Sequence, residues 1–596
     1  MVVVDPTVRH PPGVALGTPG SASPEGAASL GVRRRSHRLA SRIRGEGFVV
    51  GALVMATYLA GAILLDFVYL SLPGDAVSRM ANGFYALYSR DAHLAAIGFV
   101  WTPLTSIADM VPLLFKGLWP SLASHDLAGS LVTVVAMTGA VHQLRAALRE
   151  WGVARGARLV LTALFALNPV IVYFGANGMS EGLYLFSLLA TTRYLCRWVR
   201  DEDLKALVYA ALALSFGYLA RNETMGAALL SALLVGGVSF RRASGLRRAR
   251  LTGALTDVAI LVAPVGTALV GWATASYVIT KHPFQQFQGN AVLVKAAGFT
   301  PGSLSTRLLH EARAIECLAP VLPVALVVAA ALAWRRRDAQ VMAPLAVLGG
   351  GLAFSALSYF DGLLFPWLRY YILAIPLGVL LVGFTLSGPH PIAMPAVASA
   401  LPPTRTSGPA DVGRRRRWRR VVTAGAALGA FVAVAPSVPA SFVGMLNGTI
   451  GPDTSQGLGF IFHSRLSPED RAARDAFAAV QSVDRAIEAM RLPRGSIVVD
   501  NQVECIPQVL TSIADSRVFV IPNDRDFPEV LADPLTFHTR FLLVSSGTRD
   551  PDTVRAAYPG IGRGDGVTEL VRVIPAAGQC PALELYRVVG HPPTAA

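Results

Sequence analysis

Asp75 stands where a long apolar run, residues 48–72, gives way to polar sequence. The stretch that follows, GDAVSRMANGFYALYSRDAHLAAIGFVWTP (74–103), also carries Arg79, Arg90, Asp91 and His93 among Tyr85, Tyr88, Phe99 and Trp101. A carboxylate at such a place can take a proton from an attacking hydroxyl or amine. Arginines suit a phosphate or pyrophosphate, which they grip through paired, charge-assisted hydrogen bonds. The competing reading is an interfacial helix pair whose charges are merely solvated.

Further ionisable residues sit at the ends of other apolar runs. Glu181 closes GANGMSE, Arg221 and Glu223 lie in YLARNE, Lys281 and His282 open a polar loop, and Arg369 and Tyr370 lie in PWLRYY. Each alone reads as well as a snorkelling side chain or a structural ion pair. Together they suggest a cavity rim of mixed acids and bases. Arg221, Arg369, Lys281 and Arg79 are then the phosphate-binding candidates and Asp75 the base. Glu181, Glu223, Asp91, His93, His282 and Tyr370 complete the set. Asp66, inside the first apolar run, is expected to pair within the bundle. Asp91, His93 and Asp109 have the chemistry of ligands for a divalent metal or of acceptor contacts, but a lone His beside an Asp is a weak metal pattern.

The elements that must position these residues are membrane spans. The chain has 596 residues, 53% hydrophobic and 15% charged, against about 25% charged in soluble proteins. Apolar blocks of about 20 residues recur, the length that crosses a bilayer. The net charge of +15 is spread in arginine bursts between these blocks, so it reads as cytoplasmic loops rather than a nucleic-acid surface. Arginines at 33–44 put the N-terminus in the cytoplasm. Spans are expected at 48–72, 127–148, 159–174, 182–199, 206–220, 224–240, 255–279, 317–334, 341–359, 370–386 and 421–443. This count of about eleven puts every burst on one side and every candidate residue above on the other.

The chain therefore divides into a disordered basic cytoplasmic tail (1–45), a transmembrane domain (46–445) with a first external loop at 73–126, and an extracytoplasmic α/β domain (446–596). In the last part SIVVD (496–500), VFVI (518–521) and FLLVSS (541–546) read as buried strands, and TELVRVI with LELYRVV as a closing pair. Helical patterns begin near Cys505 and Asp526. Cys505 and Cys580 can pair if this domain lies outside the cell, two free thiols being the alternative.

The order of these features resembles the GT-C superfamily of integral membrane glycosyltransferases, which includes the lipid A aminoarabinose transferases, the protein O-mannosyltransferases and the mycobacterial polyprenyl-phosphate sugar transferases. The resemblance rests on GDAVSRM after the first span, HLAAIGFVWTPL in the same loop, NPVIVYFGANGMSEG, YLARNE and PWLRYYILAIP, and covers roughly residues 48–386. It implies a plasma-membrane enzyme that transfers a sugar, with inversion, from a polyprenyl-phosphate donor to an extracytoplasmic acceptor: a cell-envelope glycan, lipid or protein. It also implies that Asp75 is the general base. Many members carry paired acids in this loop, whereas here Asp75 stands alone after Gly74. The readings from other classes are a lipid or polysaccharide transporter and a non-catalytic scaffold whose outer domain binds the envelope. A transporter favours inverted repeats and mid-membrane polar sites; no repeat is found and the polar residues gather at one face.

Overall fold

The computed structural model describes residues 45–287, 294, 302–388, 409–546, 552–564, 566–578 and 580–590. The expected tail lies outside these residues but for its last position, as does much of the Pro-rich linker before the final span. The chain divides into two units, Met1–Leu53 and Val54–Ala596. The account below concerns the second.

The protein is a multi-pass helical membrane protein with a small C-terminal α/β module. Among the described residues seven helices are long and apolar enough to cross a membrane, and eight if one bent pair counts as a span. The count of about eleven is higher because three expected spans have a different build. The stretch 159–174 is two helices, Arg155–Ala166 and Pro169–Phe174. Pro169 lacks an N–H and starts the second helix at its first turn, where Asn168 accepts a hydrogen bond from Val170 N at 3.0 Å. Helix Glu181–Asp201 is long enough but carries Arg193, Arg197 and Arg200, and Leu204–Ala220 has only 17 residues. The expected span at 317–334 is also altered. It is the second arm of a pair, Leu304–Leu318 and Leu322–Arg336, bent by 77° at Ala319-Pro320. Pro436 likewise separates Pro409–Val434 from Ser437–Leu446.

The C-terminal strands fall where the apolar runs predict them. They are β1 Ile497–Val499, β2 Phe519–Val520, β3 Phe541–Ser545, β4 Thr568–Ile574 and β5 Leu583–Val588. The sheet order is β2-β1-β3-β5-β4, with β1 parallel to β2 and β3, and β5 antiparallel to β3 and β4. β1 and β3 are buried at every position, as strands covered on both faces must be. One face packs Val498, Leu542 and Val544 against Phe527, Val530 and Val554.

The other face joins the module to the first loop. Helix Gly74–Tyr88 places Met80, Ala81, Phe84 and Tyr85 in one core with Val480, Val483, Ile487, Val499, Ile506 and Val509. The helix that begins with Asp75 is thus held from both sides. A charged clamp closes the same junction. Arg90 pairs with Asp524 at 3.2 Å and with Asp526, while Asp91 receives Arg525 through Nη2 at 2.5 Å and Nε at 2.9 Å. Asp524 is fully buried but Arg525 is largely exposed, so the Asp91 arm contributes registration more than energy.

Cys505 and Cys580 are disulfide-bonded across a sequence separation of 75. In the chain-entropy account a bridge closing such a loop stabilises by about 3–5 kcal/mol. Replacing both cysteines by serine should lower the thermal unfolding midpoint of the purified protein. Alkylation of the unfolded native protein without reductant should leave both thiols unmodified; labelling of either one without reductant would contradict the bridge.

Candidate active site

Three short connections and one helix start bring the charged residues together. Asp75 lies in the first turn of Gly74–Tyr88, where the helix dipole favours a carboxylate. Glu181 begins helix Glu181–Asp201, after a turn at Gly178 with φ +75. A Cβ at Gly178 would lie 2.6 Å from an Asp126 oxygen, so the turn needs glycine for both its angle and its space. Arg221 is the extended residue that ends Leu204–Ala220, and Glu223 precedes the next helix. Arg369 sits on the tight turn Leu368–Tyr371.

Arg369 donates to Asp75 Oδ2 at 2.6 Å and lies 4.0 Å from Glu181 Oε1. Arg221 donates to Glu181 and to Ser180 Oγ, and reaches Glu223 Oε1 from Nε at 3.1 Å and Nη2 at 2.5 Å. Tyr370 lies under both guanidiniums, 5.4 Å from each. The Arg221, Glu181 and Glu223 side chains are at most 8% exposed, whereas Asp75 keeps 25%. Arg79 stacks 4.1 Å over Trp101 and, among the described residues, has no carboxylate at ion-pair distance. Burial pushes the Asp75 carboxyl up, but Arg369, Arg79 and Arg221 outweigh it and hold the group below the ordinary aspartate range.

Two cavities, each of about 400 Å³, meet here. Arg369 is the one residue common to both. The first is lined by Asp75, Tyr173, Trp367 and Asp453, and by Asn501, Gln502 and Glu504 of the C-terminal module. The second is lined by Arg79, Arg221, Trp101 and Glu223, and runs on past Phe354, Leu357 and Leu364. The first has a wall of mixed polar and apolar groups, part of it from the module; the second combines three guanidiniums with an apolar flank.

The remaining candidates lie elsewhere. Lys281 is exposed at the end of Arg247–Thr280, donates to the Val278 carbonyl and lines neither cavity, as does His282 beside it. Asp91 is taken up by Arg525, and His93 Nδ1 lies 2.6 Å from the Asp91 carbonyl oxygen. Asp66 is buried in a π-helical turn, Leu64–Tyr69, with no arginine or lysine at ion-pair distance among the described residues and Oδ2 without a partner. Asp109 is fully buried with both oxygens unpartnered, and burial pushes its carboxyl well up. No group of three or more His, Cys, Asp or Glu side chains among the described residues is arranged to hold a metal ion. Asp453 and Glu504 are acids of the first cavity that sequence reasoning passed over. The signal for Asp453 was its place in Pro452-Asp453, just after the last span, as Asp75 follows the first.

No family model and no curated protein sequence matches this chain. Among solved structures the fold is similar to ArnT from Cupriavidus metallidurans. The apo form has 14% identity and a TM-score of 0.48, and the match covers 90% of this chain and 98% of that one. The form bound to undecaprenyl phosphate has 14% identity, a TM-score of 0.47 and the same coverage. The archaeal oligosaccharyltransferase AglB from Archaeoglobus fulgidus, in complex with an inhibitory peptide and a dolichol-phosphate, has 10% identity and a TM-score of 0.38, over 84% of this chain and 69% of that one.

Arg221 is the partner of two buried carboxylates. Arg221→Met should therefore destabilise the protein by about 3–5 kcal/mol, read as a lower unfolding midpoint in detergent. Glu223→Gln should cost clearly less, because Arg221 keeps Glu181. Equal losses in the two variants would mean that the three groups do not act as one network.

Proposed function

We propose that this chain is a membrane glycosyltransferase of the GT-C kind, moving one sugar from a polyprenyl-phosphate donor to an acceptor hydroxyl or amine on the extracytoplasmic face. One observation carries the reading: two cavities of different lining share Arg369, which is ion-paired to Asp75 on the wall of the first. A donor with a phosphate on a long apolar chain suits the second cavity, where Arg79, Arg221 and Arg369 face the phosphate and Phe354, Leu357 and Leu364 flank the lipid. Undecaprenyl phosphate is the ligand named for one ArnT structure; the donor class is assigned here on this chain's own cavity.

The reaction follows from the placement. The acceptor enters the first cavity and its nucleophile meets the anomeric carbon beside Asp75. As the new bond to that carbon forms, the bond to the phosphate oxygen breaks and its electron pair stays on the phosphate. Arg221, Arg369 and Arg79 hold the charge that develops there. Asp75 receives the proton released by the nucleophile. Attack from the side opposite the phosphate inverts the anomeric centre. Arg369, with Arg79 and Arg221, keeps Asp75 ionised but weakly basic. A donor phosphate shares Arg369, loosens its hold and raises the basicity of Asp75 when a base is needed.

The arginine bursts support a plasma-membrane protein with a cytoplasmic N-terminus and the module outside, and the disulfide suits an oxidising compartment. Asp75→Asn keeps size and most hydrogen bonding but cannot take the proton. Turnover in proteoliposomes should fall about 10²–10⁴-fold with donor affinity nearly unchanged. A folded Asp75→Asn protein with near wild-type rate would remove Asp75 from the mechanism. Arg369→Ala should weaken donor binding and rate together. For the topology, a Glu529→Cys protein should react with an impermeant maleimide in intact cells; reaction only after lysis would reverse the assigned orientation.

A further inference from the structure

The first cavity contains more than the proposed reaction uses. Asp453 lies on its wall, in the first turn of helix Pro452–Phe462. One oxygen accepts a hydrogen bond from Leu368 N at 3.1 Å, which ties the helix to the turn that carries Arg369. The other oxygen, Oδ2, is buried and has no partner among the described residues. The cavity wall shows a consistent chemistry. Among the described residues its acids are Asp75, Asp453 and Glu504, and its one cation is Arg369; Asp75 is paired to Arg369 and Glu504 is itself engaged. Amides come from Gln456, Asn501, Gln502 and Gln508, and aromatic faces from Tyr173, Trp367, Phe460 and Phe477. Flat rings cover the C–H faces of sugars, and carboxylates and amides make paired hydrogen bonds to vicinal hydroxyls. A phosphorylated acceptor would meet the Asp453 carboxylate instead.

We propose that the cavity between the helical bundle and the C-terminal module binds an uncharged or cationic sugar chain as the acceptor, and that the Asp453 carboxylate accepts a hydrogen bond from it. The proposal rests on the glycosyltransferase reading and names the acceptor class that goes with it. Asp453 is a specificity-determining residue, since the phosphate lies in the other cavity and the proton goes to Asp75. The charged or titratable groups facing Asp453 are Arg369, Glu181 and, on the shared cavity wall, Asp75, Tyr173 and Glu504. Burial outweighs Arg369 and the backbone donors and pushes the Asp453 carboxyl up to about 6. The charged form that binds a hydroxyl or ammonium group is therefore present above that pH and lost below it.

The test uses full-length protein in detergent, with four probes measured by calorimetry: maltotriose, glucosamine trimer, glucose 6-phosphate and a long-chain polyprenyl phosphate. Wild type should bind maltotriose and the glucosamine trimer saturably and glucose 6-phosphate at least tenfold more weakly. Binding of maltotriose, which carries no titratable group, should weaken about tenfold between pH 7.5 and pH 5. Asp453→Asn keeps a carbonyl oxygen for Leu368 N. It should lower affinity for maltotriose about tenfold at pH 7.5, abolish its pH dependence and leave polyprenyl phosphate binding unchanged. Tighter binding of glucose 6-phosphate, or no saturable binding of any sugar, overturns the acceptor class. Equal loss of sugar and polyprenyl phosphate binding in Asp453→Asn would show a purely structural role through the Arg369 turn. If wild type binds polyprenyl phosphate but none of the sugars, the acceptor proposal alone fails; if it binds sugars but no polyprenyl phosphate, the donor reading fails.

Discussion

A charge taken out of water must be neutralised by its neighbours, and much of this bundle is arranged around that requirement. Asp75, Glu181 and Glu223 are balanced by Arg79, Arg221 and Arg369 where four chain segments meet. No one segment contributes a complete pair except Arg221–Glu223, and even there Arg221 is shared with Glu181. Removing Arg221 leaves two buried carboxylates without their shared partner, at a cost of several kcal/mol. The turn at Gly178, the tight turn at Leu368–Tyr371 and the helix start at Asp75 each serve this balance. The same balance leaves Arg79 facing a cavity over Trp101 with no carboxylate at ion-pair distance among the described residues, which is how a neutral cluster can still receive an anion.

The second organising contact is apolar. Met80, Phe84 and Tyr85 extend the core of the C-terminal sheet into the first loop, so the module is a wall of the site rather than an appendage. Cys505 lines the first cavity and is bonded to Cys580, which fixes the 501–508 stretch facing Asp75. The loop and the module act as one body because their contacts are apolar beneath and ionic at the rim, through Arg90, Asp91 and the Asp524-Arg525-Asp526 run.

Much of this was legible in the amino-acid order. The five strands lie within a residue or two of the apolar runs that predicted them, because β-branched runs between turn residues have few other uses. The long spans were equally plain. Broken ones were not: hydropathy averages over a window, so it passes smoothly across Asn168-Pro169 and Ala319-Pro320, where the backbone turns. Of the candidate site, Asp75, Glu181, Arg221, Glu223, Arg369 and Tyr370 gather because each ends an apolar run on the same side. Lys281 and His282 meet that criterion too, yet lie outside both cavities, since the criterion fixes depth and not position around the bundle. Asp91 was claimed by Arg525, 434 residues on, a contact that no local pattern announces. Asp453 escaped notice because a carboxylate opening a polar helix is ordinary until the fold sets it beside Arg369.

That separation between the halves of one core has a consequence for how the protein is made. The first loop is synthesised long before the module that covers it. At about 5–20 residues per second, the 434 residues between Arg90 and Asp524 take roughly 20–90 s to follow. Through that interval Phe84 and Tyr85 present an apolar face, and Arg90 and Asp91 wait for their partners. A nascent chain in this condition needs cover, which the membrane surface or a chaperone on that side can supply. The site is therefore completed last, by the final quarter of the chain, and a ribosome that stops early leaves a membrane bundle with an unfinished first loop.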